Sequence, residues 1–325
     1  MTGFEKQGED FLSALNEALQ RGEQEFTRRA SHPTRPLVLV VGPPRSGTTV
    51  TTQWLSTCGF AVPTNFLARL YRAPYLGGLL QRLLTEPDLN YRDELAVSHG
   101  SGFASEAGKT TGLLAPHEFF YFWRQYLPLD VARPMTDVER KSANPQGLAE
   151  GLARLEDALE RPLAMKAIIA QYDLDLLDPV LPTAIYFHTM RDEVDNVESL
   201  LRIRSTVHGS ESEWFSVRPR GSDLVEDESP IVQAAAQVAW TNDDLRRQLE
   251  RLPEHRVLSV EHTHFCRSPR DVYDELATKS RALGTDLGPY VGPASFDENK
   301  RQSTRAEAIQ EALDHVRRIE RGATR

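Results

Sequence analysis

Four short apolar runs punctuate the chain: RPLVLVV (35–41), PLAMKAII (162–169), TAIYFHTM (183–190) and HRVLSVE (255–261). They are too short for buried helices, are rich in β-branched residues, and mostly lack the in–out alternation of a strand with one wet face. That pattern predicts strands covered on both sides, as in a parallel sheet. Each run is followed by sequence of helical character, at 47–58, 172–177, 192–204 and 269–283. A longer segment, SPIVQAAAQVAWTNDDLRRQLERL (229–252), spaces its apolar residues at helical intervals. Strands alternating with helices predict an α/β fold, a parallel doubly wound sheet with helices on both faces. No linker-like stretch divides the 325 residues into halves of different composition. A single domain over 35–325 is therefore expected, with 1–34 as a helical extension.

The first apolar run ends in a glycine loop, GPPRSGTT (42–49), and helical sequence follows it. Strand, glycine loop and helix in that order suit a phosphate-binding loop, whose backbone N–H groups and helix N-terminus hold an anion without a side chain. The loop fits G-x-x-x-x-G-K-[S/T] except at one position. Thr48 stands where the lysine belongs, and a cation, Arg45, lies three residues earlier. A triphosphate loop uses its lysine on the outer phosphates and the next hydroxyl on Mg²⁺. Here Arg45 has to reach the anion from the side. A phosphate-loop kinase of a small metabolite is one rival reading, and a non-catalytic nucleotide-binding module is another.

Charge narrows the ligand. A formal net charge of -9 argues against nucleic acid or another large polyanion as the main partner. Yet residues 27–85 contain no Asp or Glu, while Arg28, Arg29, Arg35, Arg45, Arg69, Arg72 and Arg82 all fall there. An acidic protein with a local basic pocket points to a small, highly charged ligand. No apolar run approaches the ~20 residues that span a bilayer, and the charged N-terminus lacks the apolar core of a secretory signal. Two cysteines make no disulfide framework, and Cys58 reads as a buried thiol. A cytoplasmic protein is expected.

With these residues in place, GPPRSGTT resembles the 5′-phosphosulfate loop of the sulfotransferases that use 3′-phosphoadenosine-5′-phosphosulfate (PAPS). That family's loop reads roughly P-[K/R]-S-G-T-[T/S], so the resemblance implies donor contacts from Pro44, Arg45, Ser46, Gly47, Thr48 and Thr49. The family's second signature is an arginine at a strand end with a serine eight residues later, which together hold the 3′-phosphate. RDEVDNVES supplies Arg191 and Ser199 at that spacing. Glu193 stands where the family often has proline. SVEHTHFCRSPRDVYDEL is similar to the family's later strand-then-helix segment, and the likeness runs from about residue 35 to 283. APHEFFYFWRQYL and NFLARLYRAPYLG resemble a bacterial, small-molecule branch of the family.

Sulfuryl transfer strips a proton from the acceptor hydroxyl, which calls for a base near Arg45. Pro116-His117-Glu118 reads as the first turn of a helix, with His117 the candidate base and Glu118 its orienter, or the base itself. Lys166, an isolated charge in a buried strand, is expected to steady the moving sulfuryl group. Cytosolic members carry Lys-Thr-His at a comparable strand end, and here Ile168 replaces that histidine, which removes the family's usual base. Arg202 and Arg204 read as a solvated helix face. His262 and His264 share one face if extended, but no cluster completes a metal site, and the family needs no metal. The long polar segment 208–230 reads as a lid or acceptor-binding segment, with Trp214 and Phe215 as acceptor contacts, or as a plain surface loop. Val50 stands where relatives place an adenine-stacking tryptophan, and Trp54 lies one turn on. The expected reaction moves a sulfuryl group from PAPS to a hydroxyl of a small molecule, leaving 3′,5′-adenosine bisphosphate (PAP). No motif selects the acceptor or an oligomeric state.

Overall fold

The structure, a computed structural model, describes residues 3–26, 31–89, 94, 103, 105, 108–298 and 303–323. Arg28 and Arg29 lie outside that set. The four predicted strands form one parallel sheet: β1 (Leu37–Val41), β2 (Leu163–Lys166), β3 (Ala184–Met190) and β4 (Val257–Glu261). Its order is β2-β1-β3-β4, with Leu37 opposite both Leu163 and Ala184, and Tyr186 opposite Val257. The chain leaves β1 to one side and returns to its other side, so the crevice at the carboxyl ends opens beside β1.

The apolar runs are continuous because both faces of the sheet are covered. Leu37, Leu39, Val41, Leu163, Met165 and Tyr186 pack on one face, together with Phe119, Phe122, Trp123, Leu152 and Leu155. Val38, Val40, Ala164, Ile185, Phe187, Leu258 and Val260 pack on the other, against Trp54, Phe265, Tyr273 and Leu276. Neighbouring residues alternate between the two faces, as strand geometry requires.

The described helices are α1 (Gly3–Glu23), α2 (Thr48–Thr57), α3 (Pro74–Thr85), α4 (Phe120–Arg124), α5 (Asp137–Ser142), α6 (Pro145–Leu159), α7 (Leu174–Leu177), α8 (Glu193–His208), α9 (Pro230–Leu249), α10 (His262–Arg267), α11 (Pro269–Ala282) and α12 (Ala306–Ala323). Local signals set their ends. Asn144 accepts from the Gly147 N–H at 2.9 Å and Pro145 opens α6. Asp192 accepts from the Asp195 N–H at 3.0 Å to start α8, and Gly209 ends it in the left-handed conformation. Helices α8, α9 and α12 share a third apolar cluster built on Leu200, Leu201, Ala235, Trp240, Ile309 and Val316. Helix α1 is tied down by side chains: the buried Asn16 amide donates to Arg69 O at 2.8 Å, and Glu23 accepts from the first-turn N–H groups of α3.

One predicted helix start moves. Pro116, His117 and Glu118 do not form a first turn; α4 begins at Phe120, after Phe119 in the left-handed region at φ 55°. Pro116 instead bridges to Thr64 in antiparallel fashion. Burial of Phe119 and Phe122, whose rings stack at 4.6 Å, outweighs the helix-opening preference of proline.

Candidate active site

The loop after β1 is built by contacts from three neighbouring elements. Gly42 has φ 151°, and a Cβ there would lie 2.4 Å from Thr189 Oγ1 and 2.6 Å from Thr189 O. Only glycine lets the loop press so closely on the end of β3. The Gly42 N–H donates to Gln171 Oε1 at 3.0 Å, Ser46 Oγ and Thr189 Oγ1 share a hydrogen bond of 2.7 Å, and the Asn196 amide donates to Pro44 O at 2.5 Å. Gly47, at φ 105°, caps α2, and a Cβ on it would meet His262 Nδ1 at 2.7 Å. Arg45 itself has φ 68°, an uncommon value for a residue with a side chain, held by Arg191, whose guanidinium donates to Arg45 O at 3.3 Å.

A cleft of about 830 Å³ lies against this loop. Arg45, Gly47, Thr48, Thr49, Arg191 and Ser199 all line it, so the loop and the predicted arginine–serine pair meet in one place. Arg45 Nε donates to Ser199 Oγ at 3.4 Å. Pro44 and Ser46 stand behind this wall, their polar atoms held by Asn196 and Thr189.

Arg202 is the addition that sequence reasoning missed. It lines the same cleft one helical turn beyond Ser199, and Thr206 lines it another turn on. Helical spacing from Ser199 was the signal that could have found it. Arg204, grouped with it as solvated, is instead fully buried, donating to Gln237 Oε1 at 2.8 Å.

Among the described residues Arg45, Arg191 and Arg202 have no carboxylate partner within ion-pair distance. Burial, and then the neighbouring Arg191 and Arg202 charges, pull the Arg45 pKa below its ordinary value. Burial and Arg202 do the same to Arg191, against the opposing pull of Asp195 and Asp192. Guanidinium groups remain protonated regardless. Three clustered positive charges of this kind are the electrostatic complement of a multiply charged anion.

Lys166 connects this cleft to a second, smaller cavity. Its side chain is 7% exposed at the end of β2, and Nζ donates to Thr49 Oγ1 at 3.2 Å while pairing with the Glu118 carboxylate. Glu118 and Lys166 line a cavity of about 170 Å³ whose other walls include Phe120, Val131, Ala132, Ile168 and Ile169. His117 lines neither cavity. Its Nδ1 accepts the Phe119 N–H at 2.9 Å, which leaves the proton of the neutral ring on Nε2. Burial first, and then Arg69 and Lys166, lower its pKa against the opposing effect of Glu118. A neutral ring with Nδ1 engaged and Nε2 protonated is a hydrogen-bond donor at its free nitrogen, the wrong form for a base.

Packing places the remaining candidates. Trp54 is fully buried, donating Nε1 to the Tyr290 hydroxyl at 3.0 Å and meeting the Phe265 ring edge-on at 5.2 Å, so it belongs to the core. The aromatic rings that line the cleft are Phe103 and Phe296, edge-to-face at 4.8 Å. Neither belongs to a recognisable motif. The Arg204 and Arg218 guanidiniums lie over the Trp214 ring, 5.1 and 5.0 Å from its centroid, and Phe215 packs towards His208. From segment 208–230 it is Ser216 that reaches the small cavity. His262 and His264 fall in α10, where a two-residue offset turns them to different faces. Burial and the Arg191 charge bring the His262 pKa down to about 4. Among the described residues no cluster of three or more potential metal ligands occurs, and no helix is long and apolar enough to cross a membrane. Cys58 and Cys266 are buried and unpaired.

A model of the sulfotransferase family matches residues 36–279. Among solved structures, a sulfotransferase from Mycobacterium avium superposes with a TM-score of 0.53 at 16% identity, covering 91% of this chain and 72% of that one. A sulfotransferase from Mycobacterium tuberculosis gives 0.48 at 15% identity, over 94% of this chain and 81% of that one. The first likeness is one of fold, and the four-stranded parallel sheet with helices on both sides is its common part. A UPF0754 membrane protein of Geobacillus thermodenitrificans is 30% identical over 147 residues, which is 44% of this chain. The chain spans 37% of the length of that curated relative.

Proposed function

Because the chain belongs to the sulfotransferase family, we propose that it transfers a sulfuryl group from PAPS to a hydroxyl of a small-molecule acceptor and releases PAP. The observation that carries this reading is the Arg45–Arg191–Arg202 cluster, without carboxylate partners among the described residues, beside a phosphate-type loop. A donor with a 5′-phosphosulfate and a 3′-phosphate presents two anionic groups, and the cleft gathers three guanidiniums to meet them. Arg45 with the first-turn N–H groups of α2 suits the 5′ end. Arg191, Ser199 and Arg202 suit the 3′-phosphate, and Phe103 and Phe296 offer rings to the base.

The donor supplies an activated sulfuryl group whose leaving group is a phosphate oxygen. In this reading Arg45, Thr48 and Thr49 stabilise charge growing on that oxygen, which keeps the electron pair of the breaking S–O bond. Lys166, already on Thr49, stabilises the sulfuryl oxygens in transit. Glu118, paired with Lys166, accepts the acceptor's proton as the new O–S bond forms. The engaged Nδ1 of His117 supports Glu118 over His117 as the base. The positive charges this chemistry needs come from Arg45 and Lys166, so the proposal calls on no metal ion. Buried, unpaired cysteines agree with work in a reducing cytoplasm.

The test is release of PAP from PAPS by the purified protein in the presence of mixed alcohols and phenols, followed by mass spectrometry. Turnover that is lost in Arg45→Ala supports the proposal. Absence of both turnover and PAP binding in folded protein contradicts it.

A further inference from the structure

Where an acceptor hydroxyl can meet the sulfuryl group is limited by Lys166. The same Nζ touches Thr49 on the wall of the donor cleft and Glu118 on the wall of the small cavity. A larger cavity of about 450 Å³, edged by Arg140, Arg220, Arg247 and Arg251, has neither Lys166 nor Glu118 on its wall. The small cavity has both Glu118 and Lys166 on its wall, so an oxygen held there meets the proposed base and the ammonium that touches the donor loop.

We infer that the cavity walled by Phe120, Val131, Ala132, Ile168 and Ile169 is the acceptor site, and that it selects an uncharged alcohol or phenol whose hydroxyl is borne on about one ring's bulk of hydrocarbon. This inference rests on the sulfuryl-transfer proposal above. Volume sets the size: about 170 Å³ is close to an apolar cavity of ~150 Å³ known to take up benzene. The walls set the polarity. Five of the lining side chains are hydrocarbon, so the atoms next to the hydroxyl leave water for apolar surface.

Charge sets the exclusion. The cation on the wall, Lys166, is already engaged by Glu118 and Thr49, and Asp130 at the rim is engaged by Arg124. An anionic substituent on a ring filling this space would be buried without a partner, or would face Glu118 and Asp130. The far wall is fixed in place rather than loose. The Arg218 N–H donates to Ala132 O at 2.8 Å, and the buried Gln237 amide donates to Phe215 O at 2.7 Å and to Val217 O, on either side of Ser216. A pocket so braced discriminates by size.

The experiment titrates 4-methylphenol and 4-hydroxybenzoate into PAP-saturated protein, with binding followed by ligand-observed NMR. Two variants, Ala132→Phe and Ile168→Trp, fill the cavity, and their PAP affinity reports that each is folded. The expected result is at least tenfold tighter binding of 4-methylphenol than of 4-hydroxybenzoate, reduced at least tenfold in either folded variant, with PAP affinity changed less than twofold. Equal binding of the two phenols overturns the inference. So does undiminished 4-methylphenol binding in a folded variant, or no 4-methylphenol binding by protein that binds PAP normally. Failure to bind PAP at all is a separate outcome, which removes the sulfuryl-transfer proposal and the acceptor site with it.

Discussion

Lys166 holds Thr49 and Glu118 at once: its Nζ donates to the Thr49 hydroxyl at 3.2 Å and forms an ion pair with the Glu118 carboxylate. One buried ammonium thus ties the donor loop to the proposed base. Glu118→Gln keeps the shape and removes the basicity, so single-turnover transfer from PAPS should slow by about 10² to 10⁴ while PAP binding is unchanged. His117→Ala should cost much less. A His117 variant that loses more activity than the Glu118 variant would return the base to the histidine.

The proposed reaction gives the arginines separate roles. Arg45→Ala should lower turnover by on the order of 10² or more, the scale of losing one transition-state donor. Arg191→Ala and Arg202→Ala should weaken binding of PAP and leave binding of adenosine 5′-monophosphate nearly unchanged, because only PAP carries the 3′-phosphate. Calorimetric titration of both nucleotides separates these outcomes. A parallel loss for both would mean that the arginines act on the 5′ end.

Much of this was legible in the sequence, for reasons that can be traced. The strands were visible because both faces are buried, which leaves β1 as five consecutive apolar residues. The donor loop was visible because its glycines stand at positive φ within contact of Thr189 and His262, where a side chain would collide. Arg202 was not, because an arginine on a helix is usually solvated and the cleft that it faces is assembled from the loop after β1, α2, α8, α10 and the segment around Phe296. The state of His117 was also hidden. Which ring nitrogen carries the proton depends on Phe119 standing in the left-handed region, a tertiary outcome of burying its ring.

The two loop glycines give a stability test. Gly42→Ala places a Cβ against the Thr189 backbone carbonyl, which cannot step aside, and strains φ as well. Gly47→Ala meets the His262 ring, which a second substitution can remove. Both should destabilise, with the backbone strain alone worth ~1–3 kcal/mol. His262→Ala should recover part of the loss in Gly47→Ala, and Gly42→Ala should have no such partner. Urea unfolding midpoints measure this, and equal midpoints for Gly47→Ala and the double variant would contradict it.

Acid should destabilise the fold through buried imidazoles. Burial, and then the Arg246 charge, hold the His188 pKa at about 4. His262 is held at about 4 by burial and Arg191. Unfolded imidazoles titrate near 6.5, so below that pH the unfolded chain binds protons that the native state refuses. Stability should therefore fall as pH drops from about 6.5 to about 4, each group contributing a slope of up to ~1.4 kcal/mol per pH unit. His188→Gln should flatten the pH dependence of the unfolding free energy in that window. A slope unchanged by this substitution would remove His188 from the acid response.

The measurement to make first is thermal stabilisation of the protein by PAP, set against ATP with Mg²⁺, in the native chain and in Arg191→Ala. At ~100 times its dissociation constant a ligand of the native state adds about 2.7 kcal/mol. Stabilisation by PAP alone, lost in Arg191→Ala, is the result expected of a donor cleft built around Arg45, Arg191 and Arg202. Stabilisation by ATP with Mg²⁺ alone, or by neither nucleotide, would contradict it.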